Sequence, residues 1–263
     1  MTTSDGDGAL IARVEAANLS AWPAARTAFD GSWILRRTPG HASKRLNCLT
    51  FLDPADAGDT PVRLSAALAD FDRLGIAPVV RVTPLAPPDL VALLDAAGWE
   101  RFDETLTMVL DLDRLDAAPV ADVEVIDEGP RGDWATAMKR TGSAKADDLA
   151  ALVALLDRIV PESALSVAFD RHTGKVAAAS LAVVDRGLVG LFDVGTVMAL
   201  RRRGFGRRAI LGALAWGHAR GADIGWLQVL AENVRAGSLY ERIGFTELYR
   251  GDYRRPPGAG AKP

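Results

Sequence analysis

Between residues 188 and 218 an apolar run, LVGLFDVGTV, is followed after three residues by RRRGFGRR and then by AILGALAWGH. The order is strand, glycine-containing turn, helix. The first amides of a helix have no intrahelical partner and lie at the positive end of its dipole, so a turn that feeds such a helix is suited to hold an anion. Gly204 and Gly206 let the backbone approach that anion with no Cβ in the way. Five arginines in eight positions can add charge-assisted hydrogen bonds. The pattern fits neither the dinucleotide fingerprint, which needs a third glycine, nor the nucleoside-triphosphate loop, which needs Gly-Lys before Ser or Thr.

The rest of the chain makes this basic patch a local device. Its 263 residues carry a formal net charge of -3, whereas non-specific nucleic-acid binding draws on many Lys and Arg contacts spread over a face. No nucleic-acid partner is expected. Cys48 is the sole cysteine, so no disulfide forms within the chain, and His41, His172 and His218 lack metal-ligand spacing. No metal is expected. No apolar run approaches the roughly 18 residues that span a bilayer, and the first residues lack a basic segment followed by an apolar one. The expectation is a cytoplasmic protein with no membrane partner.

The chain reads as two halves. Residues 111–133 interrupt the apolar periodicity with acidic residues and prolines, which places a junction there and domains at 1–118 and 119–263. In the first half, strands flank Pro39 and Gly40, helical spacing runs from Val62 to Leu74, and a short strand covers Val79 to Val82. In the second, helices are predicted over 134–141 and 147–159, and strands near 165–169, 176–184, 188–197 and 226–230. Ile210, Leu211, Leu214 and Ala215 give the helix after the arginines one apolar face. Both halves close alike: LLDAAGWERF and LYERIGFTEL each show a helix stopped by glycine, an aromatic residue, and a strand. The expected class is α+β, each domain a mixed central sheet flanked by helices.

Arg201, Gly204 and Gly206 form Arg-x-x-Gly-x-Gly, and Asn233, Ala236, Leu239, Tyr240, Gly244 and Phe245 form Asn-x-x-Ala-x-x-Leu-Tyr-x-x-x-Gly-Phe. With both motifs in this order, the chain resembles the GNAT superfamily of N-acetyltransferases over residues 125–255. The first half resembles a degenerate second copy, as in tandem acetyltransferases. It has Leu94 where Tyr240 stands and no Gly-x-Gly loop. The resemblance implies acetyl-coenzyme A as cosubstrate, its pyrophosphate on the loop formed by Arg202, Arg203, Gly204, Phe205, Gly206, Arg207 and Arg208. Val197 and Met198 would lie on the strand edge beside the thioester, and the pantetheine arm between two splayed strands. Asn233 would either bind a pantetheine amide or cap the helix that follows it.

Acetyl transfer to an amine needs a neutral amine, a positioned thioester, a donor for the developing oxyanion and a proton for the thiolate. Tyr240 matches the family's acid. For the base there are two readings: Asp193, in an apolar strand where burial would raise its pKa, or Glu232 beside Asn233. Asp193 is equally readable as a structural carboxylate. The family often carries a carboxylate slightly earlier on this strand, where Gly190 stands here. Strand alternation puts Asp193 on the face of Val189, Leu191 and Val197, and Gly195 is expected to form a bulge that frees a backbone N–H for the thioester carbonyl. Trp134, Met138 and Trp226 line either an acceptor pocket or the core. The basic side chains of Arg36, Arg37, Lys44 and Arg45 read as a solvated face or part of an acceptor cleft. The expected activity is acetyl transfer to a primary amine on a small molecule or peptide; the competing class is a noncatalytic acyl-coenzyme A binding regulatory module.

Overall fold

The computed structural model describes residues 5–115, 120–142 and 149–259. The chain forms two compact units. One comprises Met1–Thr107, Val229–Asn233 and Glu247–Pro263, the other Met108–Gln228 and Val234–Thr246. The expected boundary between residues 118 and 119 lies outside the described residues.

The first unit begins with α1 (Asp5–Ala21) and the hairpin β1 (Arg26–Asp30) and β2 (Trp33–Arg37). It continues with β3 (Cys48–Phe51), α2 (Thr60–Arg73), β4 (Val80–Val82), α3 (Pro88–Ala96) and the start of β5 (Glu100–Asp111). The final strand of the chain, β11 (Thr246–Arg255), also pairs here. It runs antiparallel to β4, with Tyr253 opposite Arg81. α2 and α3 pack Leu64, Phe71, Leu90 and Leu94 against Trp33, Leu49, Phe51 and Val80. The other face carries charge. Register places Arg36 beside Cys48, and α1 brings Glu15 to Arg81, both within 5% of full burial. Two guanidinium nitrogens of Arg81 grip the Glu15 carboxylate, one at 2.8 Å, and the Tyr249 hydroxyl donates to the same carboxylate. Burial pushes the Glu15 pKa up, but Arg81 and the Tyr249 hydroxyl outweigh it and hold the carboxyl below its ordinary value.

The second unit contains β6 (Val123–Ile126), α4 (Arg131–Thr141), α5 (Leu149–Leu156), β7 (Glu162–Asp170), β8 (Lys175–Asp185) and β9 (Leu188–Thr196). α6 (Phe205–His218), β10 (Ile224–Leu230) and α7 (Val234–Ile243) follow. Its strand order is β10-β9-β8-β7-β6. β6 to β9 are antiparallel, and β10 runs parallel to β9. The helix expected over 147–159 is described from Leu149, residues 147 and 148 lying outside the described residues.

α6 lies unusually close to this sheet. A Cβ on Gly212 would stand 2.5 Å from Val123 Cγ1 and 2.7 Å from Ser166 Oγ, and one on Gly217 would stand 2.6 Å from Val189 Cβ. Absent side chains therefore set the helix–sheet spacing.

The two halves repeat their helix ends. After α3 the Trp99 N–H donates to Leu94 O at 3.0 Å, and after α7 the Phe245 N–H donates to Tyr240 O at 3.1 Å. Ile76 to Phe71 and Ala222 to Gly217 close α2 and α6 in the same way. Gly98 and Gly244 take the positive φ this closure needs, at 71° and 116°.

Gly212→Ala forces backbone or neighbours apart and should destabilise the protein by about 1–3 kcal/mol, read as a lower urea midpoint at unchanged slope. Glu15→Gln leaves Arg81 as a buried unneutralised charge and should cost about 3–5 kcal/mol in the same measurement.

Candidate active site

The turn between β9 and α6 has the local geometry that suits an anion. Gly204 precedes α6 at φ 81°, a left-handed conformation, and Arg202 before it is at φ 63°. Gly206 stands in the first turn, where a Cβ would be 2.9 Å from Thr196 Oγ1. The five arginines divide by role. Arg208 reaches Asp122 at 3.2 Å and stacks on Phe205, 4.3 Å from the ring centroid, while Arg201 donates to Thr196 O at 3.3 Å. Arg202, Arg203 and Arg207 are exposed and meet no carboxylate among the described residues. Three guanidiniums are thus uncommitted beside the free amides of a helix start.

The strands below the cradle part. β9 and β10 pair from Leu188–Ile224 to Leu191–Leu227 and no further, although both strands continue. Gln228, the first residue past the pairing, has a buried side-chain amide nitrogen with no partner among the described residues. No sequence motif singled it out, because its meaning depends on where the strands separate. Val197 is half-buried, its N–H bonded to Ala177 O at 2.9 Å, and Met198 is exposed.

The bulge is displaced from its expected place. On β8, Ala179 pairs with Gly195 and Leu181 with Phe192, so Asp193 and Val194 together face Ser180. Gly195 is regularly paired, and Asp193 takes the irregular backbone at φ 44°. Side-chain alternation therefore breaks between Leu191 and Val197. Asp193 is half-buried. Position 190 has no room for a carboxylate, since a Cβ there would stand 2.8 Å from the Trp226 ring.

Tyr240 projects from α7, 7% exposed, with its ring edge-on to Phe245 at 6.0 Å. Its hydroxyl meets no hydrogen-bond partner among the described residues. Burial pushes its pKa up to about 12, so the hydroxyl keeps its proton at neutral pH. Glu232 and Asn233 are exposed just before α7, and the Asn233 N–H donates to Leu230 O at 2.9 Å. Trp134, Met138 and Trp226 are each at most 1% exposed and belong to the core. Arg36 is also buried, so the first half's basic side chains do not form one solvated face. Among the described residues no three His, Cys, Asp or Glu side chains gather to hold a metal, and no helix is long and apolar enough to cross a membrane.

The turn that occupies the equivalent place in the first half, between β3 and α2, reads LDPADAGD. Asp56 in it accepts from Ser32 at 2.8 Å and from Arg63 at 2.7 Å, and those bonds hold its carboxyl well below the usual range. Three aspartates stand where the second half has five arginines. Such a turn repels phosphate.

A strand, an anion cradle and a helix, beside parting parallel strands, define an acetyltransferase of the GNAT class. The family described as "Probable histone acetyltransferase Rv0428c C-terminal" matches residues 8–254, and the chain belongs to it. The chain is similar to "Uncharacterized N-acetyltransferase YobR" of Bacillus subtilis (strain 168), 25% identical over 93% of this chain and 98% of that one. Its fold is shared with a GCN5-related N-acetyltransferase from Kribbella flavida, at TM-score 0.71, 19% identity and coverage of 94% and 95% of the two chains. It is shared also with a tandem GNAT protein from the clavulanic acid biosynthesis pathway, at TM-score 0.64, 14% identity and coverage of 94% and 87%.

All three tyrosines have pKa values raised by burial, Tyr249 further raised by Glu15. Absorbance at 295 nm should show clearly less phenolate in the native protein at pH 10 than the about half-ionisation expected in 6 M guanidinium chloride. For Tyr240, whose folded value is raised to about 12, this stabilisation is complete below about pH 10 and is lost as pH rises through about 12.

Proposed function

We propose that the second half transfers the acetyl group of acetyl-coenzyme A directly to a primary amine. The observation that carries this reading is the loop geometry: a left-handed Gly204 opening α6, Gly206 with no space for a side chain toward Thr196, and three arginines without carboxylate partners among the described residues. Residues Arg202 to Arg208 would hold the pyrophosphate. Val197, Met198, Gln228 and Asn233 would flank the pantetheine arm, the unpaired Gln228 amide meeting one of its carbonyls. When bound, the cosubstrate supplies an acyl group activated as a thioester.

Tyr240 holds a proton on its Oη for the departing sulfur, and its raised pKa keeps that proton in place until transfer. Asp193 is the carboxylate we assign to the amine's proton, with Glu232 the second choice. The family's description as histone acetyltransferase makes a peptide lysine the acceptor to test first, ahead of small-molecule amines. We take 1–118 and 119–263 as two copies of one unit, supported by their matching helix ends, the first having lost its anion cradle. A buried free thiol at Cys48 suits the reducing cytoplasm.

Titration calorimetry should show acetyl-coenzyme A binding to the wild type and at least tenfold weaker binding to a folded Gly206→Val variant. Absence of binding to the wild type overturns the reading. With a lysine peptide as acceptor, Tyr240→Phe should lower kcat by about 10²-fold or more with little change in cosubstrate affinity; unchanged turnover would remove Tyr240 as the acid. Binding without turnover of any amine would favour the noncatalytic module.

A further inference from the structure

A cleft of about 390 Å³ opens beside the cradle, with Asp122, Asp170, Arg171, His172, Arg203 and Arg208 in its wall. Asp170 ends β7, and Arg171 and His172 lie on the β7–β8 turn that follows it, which no motif of the sequence includes. That turn is held from within. Asp170 accepts the His172 N–H at 3.1 Å and the Thr173 hydroxyl at 3.3 Å, and its carbonyl accepts the Gly174 N–H at 2.8 Å. Asp122 is likewise engaged, accepting from Arg171 Nε and from Arg208 at 3.2 Å.

Both carboxylates are therefore occupied by donors, and three guanidiniums face two carboxylates in the wall. What stays uncommitted is cationic. Arg171 uses only its Nε, its side chain is 66% exposed, and its two terminal nitrogens have no partner among the described residues. Arg203 is exposed and has no partner among the described residues, and the His172 ring stands beside them. Two free guanidinium forks and an imidazole around one cleft suit a phosphomonoester, because a fork matches two phosphate oxygens at once.

Arg203 and Phe205 belong to the cradle and to the cleft wall alike, so one ligand can reach both. In coenzyme A a phosphomonoester on the ribose 3′ carbon lies a few bonds from the pyrophosphate. We propose that this cleft binds the 3′-phosphate of the coenzyme A nucleotide through Arg171, Arg203 and His172, so that the protein discriminates against carriers that lack it. The inference rests on the reading of the loop as the pyrophosphate site.

Calorimetry separates the two. Acetyl-coenzyme A and acetyl-3′-dephospho-coenzyme A are titrated at fixed ionic strength into the wild type and into Arg171→Ala/Arg203→Ala, whose exposed side chains can be removed without loss of fold. The wild type should bind the dephosphorylated ligand about tenfold or more weakly, and the double variant should bind both ligands within about threefold of each other. Equal wild-type affinity for the two, or discrimination that persists in the variant, overturns the cleft assignment and leaves the loop reading standing. No wild-type binding of acetyl-coenzyme A overturns both.

Discussion

The approach of α6 to its sheet is the constraint on which the site depends. Helices normally stand off a sheet by the depth of two side-chain layers, but Gly212 and Gly217 remove one layer where α6 crosses Ser166 and Val189. The helix cannot roll or slide without driving its flanking side chains into the strands. Its first turn is thereby fixed against the end of β9, where Gly206 fits against Thr196. An anion cradle made of backbone amides is only as well placed as the helix that carries it.

A second constraint works on the strands. The bulge at Asp193 and Val194 bends β9 immediately after its last pairing with β10, and the parting of the two strands follows. Trp226, edge-on to Phe192 at 5.4 Å, fills the space over Gly190 and closes the paired part of the sheet below the opening. The first unit keeps the same helix endings yet spends its polar face on Glu15, Arg81 and Tyr249, a bonded buried network with its own structural role.

Much of this was legible in the chain. The helix stops at Gly98 and Gly244 follow from residue types whose backbone needs are local, and so does the turn at Gly204. α1 was not anticipated, because Glu15 and Asn18 lie on its buried face and break the apolar period by which a helix is recognised. β1 escaped notice for the opposite reason: it is an edge strand, exposed at four of its five residues. The bulge was expected at Gly195 because glycine favours irregular backbone, but a bulge is a mismatch between two strands, and only the register with β8 puts it at Asp193.

The sequence by itself determined the strand–turn–helix order around Gly204, the helix stops and the family resemblance, since each rests on short motifs whose conformational and charge preferences act locally. Tertiary structure alone decided which strands pair and where they part. It set β11 against β4, left the Gln228 side-chain nitrogen without a partner among the described residues, and brought the β7–β8 turn beside α6. Those outcomes depend on packing between segments far apart in the chain, and no local preference encodes the distance between them.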